Sequence, residues 1–419
     1  MQPVEIAIVG AGVGGLAAAI ALARSGHRVV VFERFADVRP VGSGLMLQPT
    51  GLAALQRLGL RDEIAALGAR IERLHGVTRR GTTVFDLAYG ALEPGAHAVA
   101  VHRAALHGAL WQAFSQSGAA LETGRSIVGV EPAGDGVVLC DAAGGRSAAF
   151  GLVVDASGVR SALRAMVTGR QGRPFRYGAV WATVPDSGVA PGTLAQRYVA
   201  ARIMIGHLPV GRATPAGPPL AALFWSLKPD LHVQWRDGFA AWQAQMAGLW
   251  PALAEAVARL GPDDFTLARY AHFTARVPFR GPVVLIGDAA HATSPQLGQG
   301  ANNALLDALV LADALAEGRD VADALTAYAR ARRAHVRFYQ TASAAMTPLF
   351  QSDSRALAVL RDLAFDRLKL VPWLHRQMLR TLAGLKTGMF SHAAAETLAG
   401  LPAPSPARTS TASQQGPAA

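Results

Sequence analysis

A chain of 419 residues with 51% apolar content is long enough to bury large cores in two or more domains. Its 40 basic and 29 acidic residues leave a formal charge of +11, yet the arginines are spread along the whole chain with no aromatic-interleaved basic motif, which speaks against nucleic-acid binding and leaves a solvated basic face or a pull on acidic ligands. A single cysteine, Cys140, excludes an internal disulfide, and no charged leader or membrane span is legible, so the cytoplasm is the expected compartment.

The first elements are an apolar strand, Ile6 to Val9, the glycine run Gly10 to Gly15, and an Ala/Leu-rich helix to Ala23. Gly10 permits a tight turn, Gly12 lets the backbone approach a phosphate, and Gly15 lets helix pack on strand. The helix N-terminus adds unpaired amides and a positive dipole end. A second strand, Val29 to Phe32, ends at Glu33, whose carboxylate can accept hydrogen bonds from an adenosine ribose. These features predict a dinucleotide-binding unit without separating nicotinamide from flavin.

Further along, a helix is expected over Thr50 to Leu58, and strands within His75 to Leu87 turn at Arg79-Arg80-Gly81. Another helix starts at Arg103, a hairpin-like stretch turns near Gly134 and Gly144, and a strand covers Leu152 to Val154. From Arg173 to about Ala268 the pattern is strand-like: Gly178 to Val184, Gln196 to Val199, Arg202 to Leu208 and Leu220 to Leu227 predict an antiparallel sheet, with helices around Phe239 to Leu260. The strand Val283 to Ile286 then runs into a second glycine-rich segment, Gly287 to Gly300, and a helix from Ala301 to Ala316 stopped by Gly318. A longer helix from about Ala322 to Met346 is expected to break at Thr347-Pro348. Residues 355–390 read as basic amphipathic helices interrupted at Pro372, fit either for a packed cap or for a weak membrane contact, with Asp353, Asp362 and Asp366 diluting the positive face. The Pro/Ser/Thr/Ala tail, 401–419, is expected to be disordered.

The two glycine segments together read as the two ends of one flavin site, because a nicotinamide-only dehydrogenase has no need of the second. Backbone amides around Gly298, Gln299 and Gly300, at a helix start, suit the anionic edge of a reduced flavin. The chain resembles the class A flavoprotein monooxygenases, the aromatic-ring hydroxylases with the para-hydroxybenzoate hydroxylase fold. Five stretches in the family's order carry the resemblance: GAGVGG with Glu33, Arg39 to Leu60, Val101 to Leu110, Val153 to Arg164, and Gly287 to Ala308.

The resemblance implies an α/β architecture. A Rossmann-like FAD-binding domain (1–72, 98–172, 269–345) would carry an inserted antiparallel-sheet substrate domain (73–97, 173–268) and a C-terminal helical cap (346–400). It assigns FAD to Gly10, Gly12, Val13, Gly14, Gly15, Glu33, Arg34, Gly44, Leu45, Arg103, Ser157, Gly158, Gly287, Asp288, Pro295, Gly298, Gln299, Gly300, Ala301 and Asn302. Within that set Asp288 would accept a ribityl hydroxyl or cap the following helix, Arg103 would reach the cofactor, and Pro295 would line the flavin face near the reacting carbon. The implied reaction uses NADPH or NADH as reductant and places one oxygen atom of dioxygen, through a flavin C4a-hydroperoxide, on a small aromatic or heteroaromatic substrate.

One position departs from the family. Asp155-Ala156-Ser157-Gly158 has a serine where an aspartate is customary, which puts direct NAD(P)H use in doubt and admits a separate reductase or a non-oxygenating flavin reaction. A noncatalytic flavin-binding partner protein is the remote alternative. Tyr198, Arg202 and His207, with Tyr177 and Trp225, are the candidate substrate-side residues of the inserted sheet. His291 is a weaker candidate base, and His102 and His107 lack the Cys/Asp/Glu companions that a metal would need.

Overall fold

The structure is a computed structural model that describes residues 1–38 and 42–402. The head of the second resemblance stretch, 39–41, and nearly all of the expected tail, 403–419, lie outside the described residues. From the N-terminus the chain forms β1 (Glu5–Val9), α1 (Val13–Arg24), β2 (Arg28–Phe32), β3 (Gly44–Leu47), α2 (Pro49–Leu58), β4 (Arg73–Thr78), β5 (Thr83–Ala88), β6 (Ala98–His102), α3 (Arg103–Ser115), β7 (Ala120–Glu122) and β8 (Leu152–Asp155). There follow β9 (Gly178–Pro185), β10 (Thr193–Val199), β11 (Ile203–Gly211), β12 (Leu220–Leu227), α4 (Phe239–Leu249), β13 (Thr266–Ala268) and β14 (Val283–Leu285). The long helices α5 (Gly300–Glu317), α6 (Val321–Phe350), α7 (Arg355–Ala364) and α8 (Pro372–Leu382) come last.

In the first sheet, β14, β8, β1, β2 and β7 run parallel in that order, with the short antiparallel Phe279–Arg280 at one edge. Parallel strands must be covered on both faces. Ile6 and Ile8 face the helices, while Ala7 and Val9 face the core under a small sheet formed by Ile127–Ala133, Gly136–Asp141 and Arg146–Phe150. Helix α1 is buried from Gly15 through Leu22 because it packs against both α5 and α3. Strand β8 is the keystone, pairing with β1 on one side and with β14 on the other.

The second sheet has the order β13, β9, β12, β11, β10, β4, β5. It is mixed rather than antiparallel, since Thr193–Tyr198 of β10 runs parallel to Arg73–Thr78 of β4. Those strands are far apart in sequence, so no hairpin turn dictates their relative direction. One face of this sheet, through Trp225, packs on Trp242 of α4 and on the flanking Trp235 and Phe265; the other packs on Met46, Phe350, Leu379 and Leu382 from the rest of the molecule.

The C-terminal helices differ from expectation at Pro348, whereas the interruption expected at Pro372 is present. Pro348 lies inside the last turn of α6, which continues to Phe350. So close to a helix end a proline forfeits one backbone bond, and its fixed φ is helical, so the turn survives. Pro372 opens α8 at its first position, where a missing N–H costs nothing.

Candidate functional site

The groove that can hold a dinucleotide begins where α1 and α5 converge. A Cβ added at Gly14 would stand 3.2 Å from the Ala304 Cβ, so both helix N-termini open on the same space and present two positive dipole ends to it. A Cβ on Gly15 would lie 1.9 Å from the Gly10 carbonyl oxygen, and one on Gly10 2.8 Å from the Ala156 carbonyl oxygen. At Gly12 and Gly158 a Cβ would meet nothing within 4 Å, so the backbone there faces open space. Val13 starts the helix on this opening. The Glu33 carboxylate accepts from the Ala11 amide at 2.9 Å and the Phe35 amide at 3.1 Å, which fixes it at the groove's adenosine end. Arg34 lies over the Phe35 ring, 4.5 Å from its centroid.

Arg103 and Asp288 are both solvent-accessible and close enough for each to feel the other's charge. Gly42, at φ +102°, lets the chain pass the Arg103 side chain, whose Cδ would be 3.0 Å from an added Cβ. Confinement within the fold lowers the Arg103 pKa, with Asp288 and Tyr270 opposing. It raises that of Asp288, against the pull of His291, Arg103 and Arg164. Two groups of opposite charge near one another, each short of solvation, form a polar cradle for a neutral or anionic cofactor chain.

The Ser157 hydroxyl does not reach outward. It donates to the buried Asp155 carboxylate, which also accepts the Ser157 amide at 3.0 Å and the Ser161 hydroxyl. The buried Arg164 ties this loop to the second glycine segment, donating to Gly158 O at 3.1 Å, Ala289 O at 2.9 Å and Asp288 O at 2.7 Å. In the sequence Arg164 stands only at the end of a motif; in the fold it clamps the two loops.

The flavin-loop residues are held from behind. Asn302 Oδ1 accepts from Gln48 N at 2.9 Å, and its Nδ2 donates to Met46 O at 3.2 Å and Gly298 O at 2.8 Å, so Asn302 positions β3 and the loop rather than pointing into the groove. Gln299 Nε2 donates to Leu382 O at 2.9 Å, and Gly298 turns with φ +60°. Ser294, just before the exposed Pro295, is bonded to Ser343 and Thr347 of α6. Gly44 lies against Val210, whose Cγ1 would be 2.4 Å from an added Cβ, leaving Leu45 half-buried beside it and Ala301 half-buried on α5.

Beneath the loop lies a buried ionic network. Asp307 accepts from Gly287 N at 2.8 Å and Arg332 Nε at 2.6 Å and meets His291 Nε2 at 2.6 Å. His291 is therefore a structural partner of Asp307 and not a base facing the groove. Arg332 also contacts His335 Nδ1 at 3.2 Å, whose Nε2 donates to Gly384 O at 2.8 Å.

On the second sheet the side chains expected on the substrate side occupy different places. Arg202 is exposed in the β10–β11 turn, 3.7 Å from Asp353. His207 sits on the face covered by α4 and Trp250, away from the groove, and burial lowers its pKa. Trp225 shares that face, and Tyr177 donates to Asp353 at 2.8 Å. Tyr198 is on the inner face but fully buried, donating to Gln196 Oε1 at 2.8 Å beneath Arg361, and burial raises its pKa. Period-2 alternation cannot separate faces in strands that are apolar on both sides.

Trp181, Phe224 and Tyr270 meet one another on the other face of this sheet, and Tyr270 lies near enough to Arg103 to feel its charge. Thr183, on the inner face of β9, is bonded to Ser43 at 2.9 Å, so Trp181 lies one pleat repeat, roughly 7 Å, along from the cofactor motif. Its ring tilts on Phe224 with centroids 4.6 Å apart, and its Nε1 donates to the Tyr270 hydroxyl at 3.0 Å. Burial raises the Tyr270 phenol to about 12, so it is a hydrogen-bond donor at neutral pH. The one signal available in the sequence was Gly206, a glycine inside an apolar strand. A Cβ there would stand 1.8 Å from Phe224 Cζ. Gly206→Ala is expected to displace the ring and lower kcat/KM by about 10- to 100-fold while leaving FAD affinity unchanged, as steady-state kinetics beside a flavin titration will read.

Among the described residues no group of three His, Cys, Asp or Glu side chains converges as a metal site. The glycine cradle, the paired helix N-termini, Glu33, Arg103 and Asp288 fit FAD. Residues 3–342 match the family described as the FAD binding domain. The chain is 30% identical over 348 residues to an FAD-dependent urate hydroxylase of Klebsiella pneumoniae, covering 79% of this chain and 86% of that one. It is 32% identical over 336 residues to a 3-amino-4-hydroxybenzoate 2-monooxygenase of Streptomyces cremeus, covering 75% and 79%. The crystal structure of Klebsiella pneumoniae HpxO complexed with FAD and uric acid superposes with a TM-score of 0.78 at 24% identity, over 92% of this chain and 98% of that one, a likeness of fold. Glycine geometry, groove and relatives agree: the chain belongs to the FAD binding domain family and is a class A FAD-dependent monooxygenase.

Proposed function

We propose that the enzyme hydroxylates or epoxidises a small, largely apolar aromatic or heteroaromatic substrate, with NADH or NADPH as electron donor, in the space between Trp181, Phe224 and the flavin loop. The observation that carries this reading is the Trp181–Phe224 ring pair with the Tyr270 hydroxyl at its edge, on a stretch of sheet face whose alternate residues, Thr183, Met204, Gly206 and Ala222 among them, carry no charge. Such a surface favours a neutral ring over an anion.

Bound FAD supplies the electron transfer and the activation of dioxygen. The chain's own residues do the rest. The α1 N-terminus and Arg103 hold the pyrophosphate side, Asp288 accepts a ribityl hydroxyl, and the α5 N-terminus with the Gly298–Gly300 amides stabilises negative charge on the reduced ring. Pro295 lines the reacting face. Trp181 and Phe224 stack the substrate and exclude water, and Tyr270 donates a hydrogen bond to its polar atom. Within this proposal Tyr198, Arg202 and His207 support the sheet. The division into a discontinuous FAD unit (1–72, 98–172, 269–345), a substrate unit (73–97, 173–268) and a cap (346–400) belongs to the same proposal, as does the cytoplasm as compartment.

Ser157 favours a second reading of the electron source. Its hydroxyl is committed to Asp155, so this loop offers no carboxylate toward a nicotinamide nucleotide, and a separate reductase would then deliver the electrons. Anaerobic mixing of the yellow protein with NADH or NADPH, with and without phenols, indoles and quinolones, decides between them. Bleaching accelerated by one aromatic class is the expected result. Reduction only after adding a flavin reductase would move the donor to a partner and keep the oxygenase, while full turnover without oxygen would refute monooxygenation.

A further inference from the structure

We infer that the outer face of α7, the turn after it and α8 docks on an anionic lipid surface. Helix α7 is inside out. Arg361 is 1% exposed, donates to Leu349 O at 3.1 Å and Ala200 O at 3.0 Å, and pairs with Asp362. Leu360 and Leu363 on the same helix are 56% and 58% exposed. Leu370 at 73%, Trp373 at 51% and Phe390 at 76% follow in the next segments, with the last two rings 6.1 Å apart. Nine of the 15 exposed large hydrophobic side chains among the described residues fall between Val359 and Phe390. Scattered exposed apolar residues are ordinary, but a concentration of this kind marks an interaction surface.

The charge around the patch identifies the occupant. Arg355, Arg367 and Arg376 are exposed and Arg380 is half-buried; none has an acidic partner among the described residues. The nearby Asp362 and Asp366 are taken by Arg361 and Lys369. Apolar and aromatic side chains rimmed by uncompensated arginines suit the headgroup boundary of an anionic bilayer. A second copy suits it poorly, because a two-fold contact brings the patch onto itself, arginine against arginine. No helix among the described residues is long and apolar enough to cross a membrane, so the contact is peripheral. The inner side of the same segment supports the flavin loop, Leu382 O accepting from Gln299 Nε2 at 2.9 Å, which sets the docking face directly behind the site.

The test is sedimentation of the FAD-loaded full chain with vesicles of phosphatidylcholine alone and of equal parts phosphatidylcholine and phosphatidylglycerol. Binding to the anionic vesicles, weakened by salt, is expected, with little on the neutral ones. Each of Arg367→Glu and Arg376→Glu should weaken it at least roughly five-fold, and the double variant Leu360→Ser/Trp373→Ser should lower it further still, with flavin absorbance unchanged as the sign of an intact fold. Absence of binding to anionic vesicles overturns the inference, as does undiminished binding by the variants. Light scattering that shows a dimer abolished by Leu360→Ser/Trp373→Ser also overturns it, assigning the face to a second copy.

Discussion

Replacing Gly15 by alanine is expected to cost the protein its fold, and replacing Gly12 by alanine only its flavin. An alanine Cβ at 15 would overlap the Gly10 carbonyl oxygen at 1.9 Å, a backbone atom fixed by the β1–α1 turn, so the turn must open. Overpacking against backbone at the centre of the parallel sheet is worth about 3 kcal/mol or more. Gly12 has φ −80° and ψ −175°, which alanine adopts freely, and its Cβ would meet no protein atom within 4 Å. What a methyl group occupies there is the close approach of a phosphate. Urea unfolding of the apoproteins should therefore place Gly12→Ala within about 0.5 kcal/mol of the parent. Fluorescence titration should show its FAD affinity reduced at least about tenfold, or ~1.4 kcal/mol. Equal losses of apoprotein stability in the two variants would show that the space at Gly12 is not a ligand approach.

The second large effect is expected from the network under the flavin loop. Burial alone would push Asp307 up, yet the charges and hydrogen bonds of His291 and Arg332 hold it well below the usual carboxylate range. Asp307→Ala leaves the Arg332 guanidinium buried and uncompensated and should destabilise the protein by about 3–5 kcal/mol. The same network sets a pH response. Burial first, and the Arg332 charge second, hold the His335 imidazole down to about 3, against 6.5 in the unfolded chain. As pH falls, the unfolded state takes up that proton first. Stability present above pH 6.5 is then lost between there and about pH 3, at up to ~1.4 kcal/mol per unit. Asp307 does not contribute between about pH 7.5 and 5.5, because its effect is lost only below its ordinary value of 3.8. Unfolding free energies at about pH 7.5 and about pH 5.5 should differ by ~1.4 kcal/mol less in His335→Gln than in the parent. An unchanged difference would mean that His335 titrates normally.

The cofactor half of the site was legible because glycine stereochemistry is local. Gly10, Gly15, Gly287 and Gly298 each meet a tight contact or a positive φ that favours glycine, and that demand is written into neighbouring sequence. The substrate side proposed above was less legible. Strand β11 is buried on both faces over Met204–Val210, so alternation, which normally marks the inner face, is silent, and His207 and Gly206 were equally placed by pattern alone. Tyr270 escaped notice because it lies between two very short strands, Thr266–Ala268 and Ala271–His272, and reaches Trp181 only through the tertiary fold. The mixed direction of the second sheet, and the buried arginines Arg164, Arg332 and Arg361, follow from long-range packing that composition does not encode.

The position of β8 between β1 and β14 has a bearing on how the protein is made. The pyrophosphate end of the groove leaves the ribosome first, and the ring end only with residues near 287–302. At about 5–20 residues per second the β1–α1 unit waits roughly 15–55 s for β14 and α5 to cover it. Through that interval the face of α1 that α5 covers has no partner and β8 lacks its β14 neighbour, the kind of exposed surface that chaperones bind. Flavin loading is consequently a late step of biosynthesis, and the yield of yellow enzyme in a cell should follow translation rate and chaperone supply as closely as the supply of FAD.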